Sequence, residues 1–206
     1  MYVRMSRAIA KPSETKARLL DAAEGLMLAK GFVATSVDDV CEAAKLTKGS
    51  FFHYFESKEQ LGCELLGRFC ATGQRLHQSF CGQERDPLKR VYGYIDAAAR
   101  MAQDPIMRKG CLLGGFAQEL CETHPRIRAV CKQGFEAWAT HLAGELAQAK
   151  ARYAPKASFK PQELAEHFIA ILEGSLILGK VRKDMKVVAQ NLRQFKQYVE
   201  SLFFAA

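Results

Sequence analysis

Apolar residues recur at helical spacing along almost the whole chain. Leu19, Ala22, Ala23, Leu26 and Met27 share one face of a first helix that starts at Ser13 or Thr15 and stops at Gly31. Phe32 anchors the following turn. Val37, Val40 and Ala44, with Cys41 beside them, give a short second helix its apolar face. Ser36 and Asp39 have the spacing of a capping box built with the shorter acid. After a turn at Lys45-Leu46, Thr47 caps a third helix. Ser57-x-x-Gln60 opens a long fourth helix, carried by Leu61, Leu65, Phe69, Leu76 and Phe80. The chain breaks at Gly82–Pro87, and Pro87 suits the first turn of a helix running to Gln103. A second break falls at Asp104-Pro105. Leu112–Cys121 reads as a helix ended near His124-Pro125, and Pro125 opens a long one through Phe135, Trp138, Leu142 and Leu146. Pro161 opens the next. The last two helices, 162–181 and 184–203, carry one stripe each: Leu164, Phe168, Ile171, Leu172, Ser175, Leu178 and Gly179, then Val188, Asn191, Leu192, Phe195, Tyr198, Val199 and Leu202. Gly174, Ser175 and Gly179 let helices cross closely. No strand pattern occurs, so the expected fold is all-α.

The third helix has an unusual surface. Phe51 and Phe55 share a face and can pack inward. Lys48, Phe52, His53 and Tyr54 cannot all follow them. An amine, an imidazole and a phenol therefore sit together on an exposed face, a set suited to phosphates and base edges. An aromatic-rich core helix with a polar end is the plainer alternative.

Composition narrows the classes. The chain has 206 residues, about half of them apolar, and a net charge of +8. That charge suits a polyanionic partner. Arg4, Arg7, Lys11, Lys16 and Arg18 face only Glu14, which reads as a DNA-contacting arm. Lys180, Arg182, Lys183 and Lys186 read as a solvated turn. No apolar run is long enough for a bilayer, and no signal-peptide core is visible, so a cytoplasmic protein is expected. The 7 cysteines contain no CxxC pair, so reduced thiols are expected and no structural zinc. No metal or cofactor is expected. GxSxG, HExxH, Walker and dinucleotide-binding patterns are all absent from the sequence.

The ordered motifs resemble one family. Leu19-Leu20-Asp21-Ala22-Ala23, Lys30-Gly31-Phe32, Thr35-Ser36-Val37-Asp38-Asp39-Val40, Lys48-Gly49-Ser50-Phe51-Phe52-His53-Tyr54-Phe55 and Ser57-Lys58-Glu59-Gln60-Leu61 resemble the DNA-binding domain of TetR-family transcriptional regulators. The likeness spans about a quarter of the chain. It implies a helix-turn-helix head over residues 1–58 and a helical effector-binding and dimerisation body over 59–206. The third helix would enter the major groove. Two departures stand out: Lys45 where the family often has Gly, and Phe52 where it usually has Tyr.

Carried onto this chain, the resemblance implies a homodimeric repressor of a near-palindromic operator, released by a small molecule or by cysteine modification. Lys48 and His53 are expected at base edges or phosphates. Thr35, Ser36, Thr47, Tyr54 and Lys58 are expected at phosphates, with Gly49 and Ser50 allowing close approach and Phe52 near a thymine methyl. The last two helices would form a four-helix interface through Phe168, Ile171, Leu172, Ser175, Gly179, Leu192, Phe195 and Val199; an internal antiparallel hairpin in the core of one chain is the other reading of these stripes. A pocket in the body would be lined by residues such as Tyr92, Phe116, Trp138, His141 and Phe168.

Cys111 follows Arg108 and Lys109 at a helix start, where cations and the helix terminus lower a thiol's pKa. The segment Gly110–Cys121 resembles family members that respond to electrophiles or oxidants through a cysteine. A small buried apolar residue is the other reading of Cys111. The function class kept alongside is a helical enzyme or carrier that binds no DNA.

Overall fold

The computed structural model describes residues 12–81, 83–103 and 109–204. The expected arm at Arg4, Arg7 and Lys11, the breaks at Gly82 and Asp104-Pro105, and the Arg108 cation lie outside the described residues. All regular structure within them is helical: α1 (Pro12–Lys30), α2 (Val37–Ala44), α3 (Lys48–Tyr54), α4 (Lys58–Cys81), α5 (Pro87–Met101), α6 (Leu112–Leu120), α7 (Pro125–Tyr153), α8 (Pro161–Arg182) and α9 (Lys186–Phe204). The chain divides into two compact units, Met1–Leu65 and Leu66–Ala206, with the division inside α4.

In the first unit, α1 packs on α2 and α3. Leu19, Ala23, Met27, Phe32, Val40, Phe51, Phe55, Leu61 and Leu65 form its interior. The capping box is present: Ser36 Oγ accepts from Asp39 N–H at 3.0 Å, and the Asp39 carboxylate accepts from Ser36 N–H at 2.8 Å. Lys30 adds an ion pair to Asp39 at 2.9 Å. Lys45 closes α2 in the left-handed region, φ 53° and ψ 47°, a conformation that costs a non-glycine residue about 1–2 kcal/mol. Its N–H donates to Glu42 O at 2.9 Å, and the Arg18 guanidinium donates to Ala44 O at 2.6 Å. Those bonds satisfy helix-end carbonyls and hold the turn.

In the second unit, α5, α7, α8 and α9 share one core, which includes Val91, Ile95, Leu142, Leu146, Phe168, Leu172, Val188, Leu192, Phe195 and Val199. Polar ties fix the packing. Arg90 pairs with Glu145 at 2.5 Å, joining α5 to α7. Lys196 pairs with Asp96 at 2.7 Å, joining α9 to α5. The buried Ser175 hydroxyl donates to Ile171 O at 2.6 Å and accepts from Asn191 Nδ2 at 2.9 Å, joining α8 to α9. Gly179 is needed for a close approach, because a Cβ there would lie 2.5 Å from Met185 Sδ. Gly174 has open space instead.

The α8 and α9 stripes require a correction. Phe168, Leu172, Ser175, Gly179, Leu192, Phe195 and Val199 were expected to pair two copies of the chain, but they are buried inside this unit. They join α8 to α9 and to α5 and α7 within one chain. Ile171 alone of that set is half-buried, at the edge of a surface groove. The large apolar residues that α8 and α9 leave exposed are Ile177, Leu178, Val181, Tyr198 and Phe204, at 46%, 42%, 78%, 45% and 66% accessibility.

Candidate functional site

Two arrangements carry chemistry, one in each unit. The first is the outer face of α3. Thr47 Oγ1 accepts from Ser50 N–H at 3.2 Å and caps the helix, while Phe51 is fully buried against Phe55 and orients it. Lys48, Gly49, Phe52 and His53 are thereby exposed, with Ser50 and Tyr54 half-buried beside them. Phe52 is 55% accessible, so it stands on the surface rather than in the core. His53 lies edge-on to Tyr54 at 4.7 Å. The Lys48 ammonium pairs with Asp38 at 2.8 Å, and that hydrogen bond raises its pKa. Both partners are well exposed, so the pair contributes little stability and can be exchanged for another anion.

Two expected phosphate contacts are not presented in this way. Thr35 is fully buried and its hydroxyl donates to Gly31 O at 2.7 Å, so its role is to hold the α1–α2 turn. The Lys58 ammonium donates to Phe32 O at 3.0 Å and Thr35 O at 2.9 Å, over the Phe32 ring. It fastens the start of α4 to that same turn. Ser36 and Thr47 accept backbone N–H bonds with their oxygens, and the Thr47 hydroxyl also shares a hydrogen bond with the Ser50 hydroxyl at 3.1 Å.

The second arrangement is a cavity of about 180 Å³ between α4, α5, α6, α7 and α8 of the second unit. Trp138 and His141 are among its lining residues, whereas Phe116 and Phe168 are buried in the core and are not. Tyr92 is not among the lining residues; Tyr94 is, and it accepts a hydrogen bond from the Trp138 indole N–H. Cys111 caps α6, its Sγ accepting from Gly114 N–H at 3.5 Å.

The expected low thiol pKa at Cys111 is overturned. Burial, then the Glu173 charge and a hydrogen bond from the thiol to the Glu173 carboxylate, push it well above its ordinary value. Burial also raises Glu173, with the thiol hydrogen bond acting the other way. Glu173 is a cavity-lining residue that periodicity misses. Its signal is a lone acid in an otherwise apolar run, Phe168-Ile169-Ala170-Ile171-Leu172-Glu173-Gly174. Among the described residues, no group of three or more His, Cys, Asp or Glu is placed to hold a metal ion. No helix there is long and apolar enough to cross a membrane.

A first unit whose capped short helix presents polar side chains, and a wholly helical second unit, define the class of all-α transcriptional regulators with an N-terminal helix-turn-helix. The domain "Bacterial regulatory proteins, tetR family" matches residues 19–63, and the domain "Tetracyclin repressor-like, C-terminal domain" matches residues 87–195. The chain belongs to the TetR family of transcriptional regulators. It is 31% identical to the transcriptional regulator AcuR of Cereibacter sphaeroides, over 74% of this chain and 70% of that protein. It is 26% identical to the HTH-type transcriptional repressor DhaR of Mycobacterium sp. (strain GP1), over 84% of this chain and 86% of that one. The crystal structure of a regulatory protein TetR from Rhodobacter sphaeroides superposes with a TM-score of 0.80 at 26% identity, covering 89% of this chain and 98% of that one. These matches are to regulators and set aside the enzyme or carrier reading.

Proposed function

We propose that the protein represses transcription as a homodimer. Its two α3 helices bind adjacent major grooves of a near-palindromic operator, and a small molecule in the α4–α8 cavity, or modification of Cys111, releases them. The observation that carries this reading is the α3 surface. Lys48, Gly49, Phe52 and His53 stand exposed around the buried Phe51, with Tyr54 half-buried beside them. Two such helices reading one face of DNA lie about 34 Å apart, or a multiple of it. DNA binding of this kind belongs to the cytoplasm.

The dimer is assigned to the exposed side of α8 and α9. His167, Ala170, Gly174, Ile177, Leu178 and Val181 recur at helical spacing on the outside of α8, and Gln194 and Tyr198 flank them on α9. Monomers seldom leave such apolar patches in water. Gly174, which faces open space within the chain, would allow close crossing of a partner's helix. Effector release follows from mass action, since a ligand that binds the DNA-incompetent arrangement more tightly shifts the population toward it.

The test is a DNase footprint and gel shift on DNA upstream of the protein's own gene, using reduced protein. A protected near-palindrome is expected. Binding with no sequence preference, even at low salt, would refute the regulator mechanism proposed here.

A further inference from the structure

The cavity is mostly apolar. Phe69, Tyr94, Leu113, Trp138, Leu172 and Leu176 supply its walls, Gln74 and His141 add polar groups, and Glu173 is the acidic residue among the lining, beside the Cys111 thiol. Glu173 Oε1 is buried and has no hydrogen-bond partner among the described residues. A buried acceptor left unpaired is destabilising, and native proteins rarely keep one without a use. Gly114 leaves room for this carboxylate: a Cβ there would lie 2.1 Å from Glu173 Oε2, so the carboxylate would have to leave this position.

We infer that Glu173 recognises a compact protonated amine with an apolar body, whose N–H donates to Oε1 while its hydrocarbon part lies against Trp138 and Tyr94. This rests on reading the cavity as the effector site. A cation is favoured over a neutral donor for two reasons. It cancels a carboxylate charge that the apolar walls destabilise. It also gains from the aromatic rings of Tyr94 and Trp138 that line the same cavity. An anion meets like charge. Size limits the body: an engineered protein cavity of about 150 Å³ accommodates benzene, so this one takes one ring with a one- or two-atom arm.

The sequence contains one tryptophan, and Trp138 lines the cavity, so intrinsic fluorescence reports on it directly. Benzylamine, benzyl alcohol, toluene and benzoate are titrated into the full-length reduced protein at neutral pH, with thermal shift as a second readout. Benzylamine is expected to saturate at a concentration about tenfold or more below toluene and benzyl alcohol, with benzoate not binding. Glu173→Gln should weaken benzylamine about 10- to 100-fold, the range for a hydrogen bond to a charged group, and leave toluene unchanged. Benzylamine binding no tighter than toluene overturns the inference, and that comparison needs no variant. Equal benzylamine affinity in a folded Glu173→Gln protein overturns it as well. A gel shift on the same samples separates the two readings. Operator binding without amine binding removes this inference alone, and amine binding without operator binding supports it while removing the regulator reading.

Discussion

A cysteine attacks as its thiolate, and at Cys111 the surroundings act against that state. Burial disfavours the charge, Glu173 repels it, and the carboxylate holds the thiol proton in a hydrogen bond. The Gly114 N–H at 3.5 Å opposes them only weakly. Cys111 is therefore a protonated thiol at neutral pH, and slow alkylation is expected. Glu173→Gln removes the repulsion and the carboxylate acceptor but keeps the burial. Its Cys111 should be alkylated by iodoacetamide about three- to tenfold faster in mildly alkaline buffer, read by peptide mass spectrometry. An unchanged rate would mean that burial alone sets the reactivity. Lys48 is the opposite case, with an exposed ammonium shared only with the exposed Asp38. Lys48→Ala should weaken operator binding by about 1–3 kcal/mol if it reads a base, or lower the salt slope by about one if it meets a phosphate. Asp38→Asn, which releases that amine, should tighten binding. An equilibrium titration over a range of salt concentrations checks both, and indifference to both changes would take Lys48 off the DNA surface. Lys48 was legible in sequence because a charged residue beside Phe51 and Phe55 has nowhere to go but outward. Glu173 was not, because a single acid in an apolar helix gives no sign of whether it points into a cavity or into water.

At the scale of the element, caps and prolines made the helices readable. Ser36 with Asp39, Thr47, Ser57, Pro87, Pro125 and Pro161 each stand at or next to a helix start, since each satisfies or lacks an N–H that has no intrahelical acceptor. The inward face of α8 was readable only in part: Leu164, Phe168, Leu172, Ser175 and Gly179 of the stripe are buried, but Leu178 is exposed and Ile169 and Leu176 are buried in addition. Phe168, Ile169, Ile171, Leu172, Leu176, Ile177 and Leu178 surround that helix with apolar groups, so the 3.6-residue period loses contrast. Only packing against α5, α7 and α9 selects the buried side. The α1–α2 end of the head carries a pH dependence of definite sign. Lys30 and the two Ser36 hydrogen bonds hold the Asp39 carboxyl down to about 2 from 3.8. A depressed acid adds stability that is present above about pH 4 and lost as the pH falls toward 2. Asp39→Asn keeps an acceptor for the Ser36 N–H but has no charge to lose, so thermal melts of the variant should show a smaller acid-induced loss. Identical acid profiles would contradict the pairing. At the other end of α2, Lys45→Gly relieves a left-handed lysine and loosens the unfolded chain, two opposed effects that should leave a net gain of about 0.5–1 kcal/mol. Urea denaturation measures it.

In the proposed mechanism one α3 helix reads only a half-site, so the whole molecule does what neither unit does alone. Two heads held by one dimer would bind as a bivalent unit, with the second contact formed at a high effective concentration. Affinity for a palindrome therefore depends on residues far from DNA. Burial separates the two kinds of residue on α8. Phe168 is fully buried within its own chain, so Phe168→Ala should lower stability by about 3–5 kcal/mol through the cavity it leaves. Ile177 and Val181 are exposed in the single chain, so replacing both with Glu should leave its fold and melting cooperativity intact while placing charges where a partner's apolar face would lie. Sedimentation velocity should find that variant monomeric where the parent is dimeric. Its operator affinity should fall by about 10²-fold or more, the bivalent share of binding, while half-site affinity stays near the parent's. A variant that remains dimeric and binds the full operator normally would move the interface off this face of α8. One that is monomeric yet binds the full operator normally would show that a single head suffices.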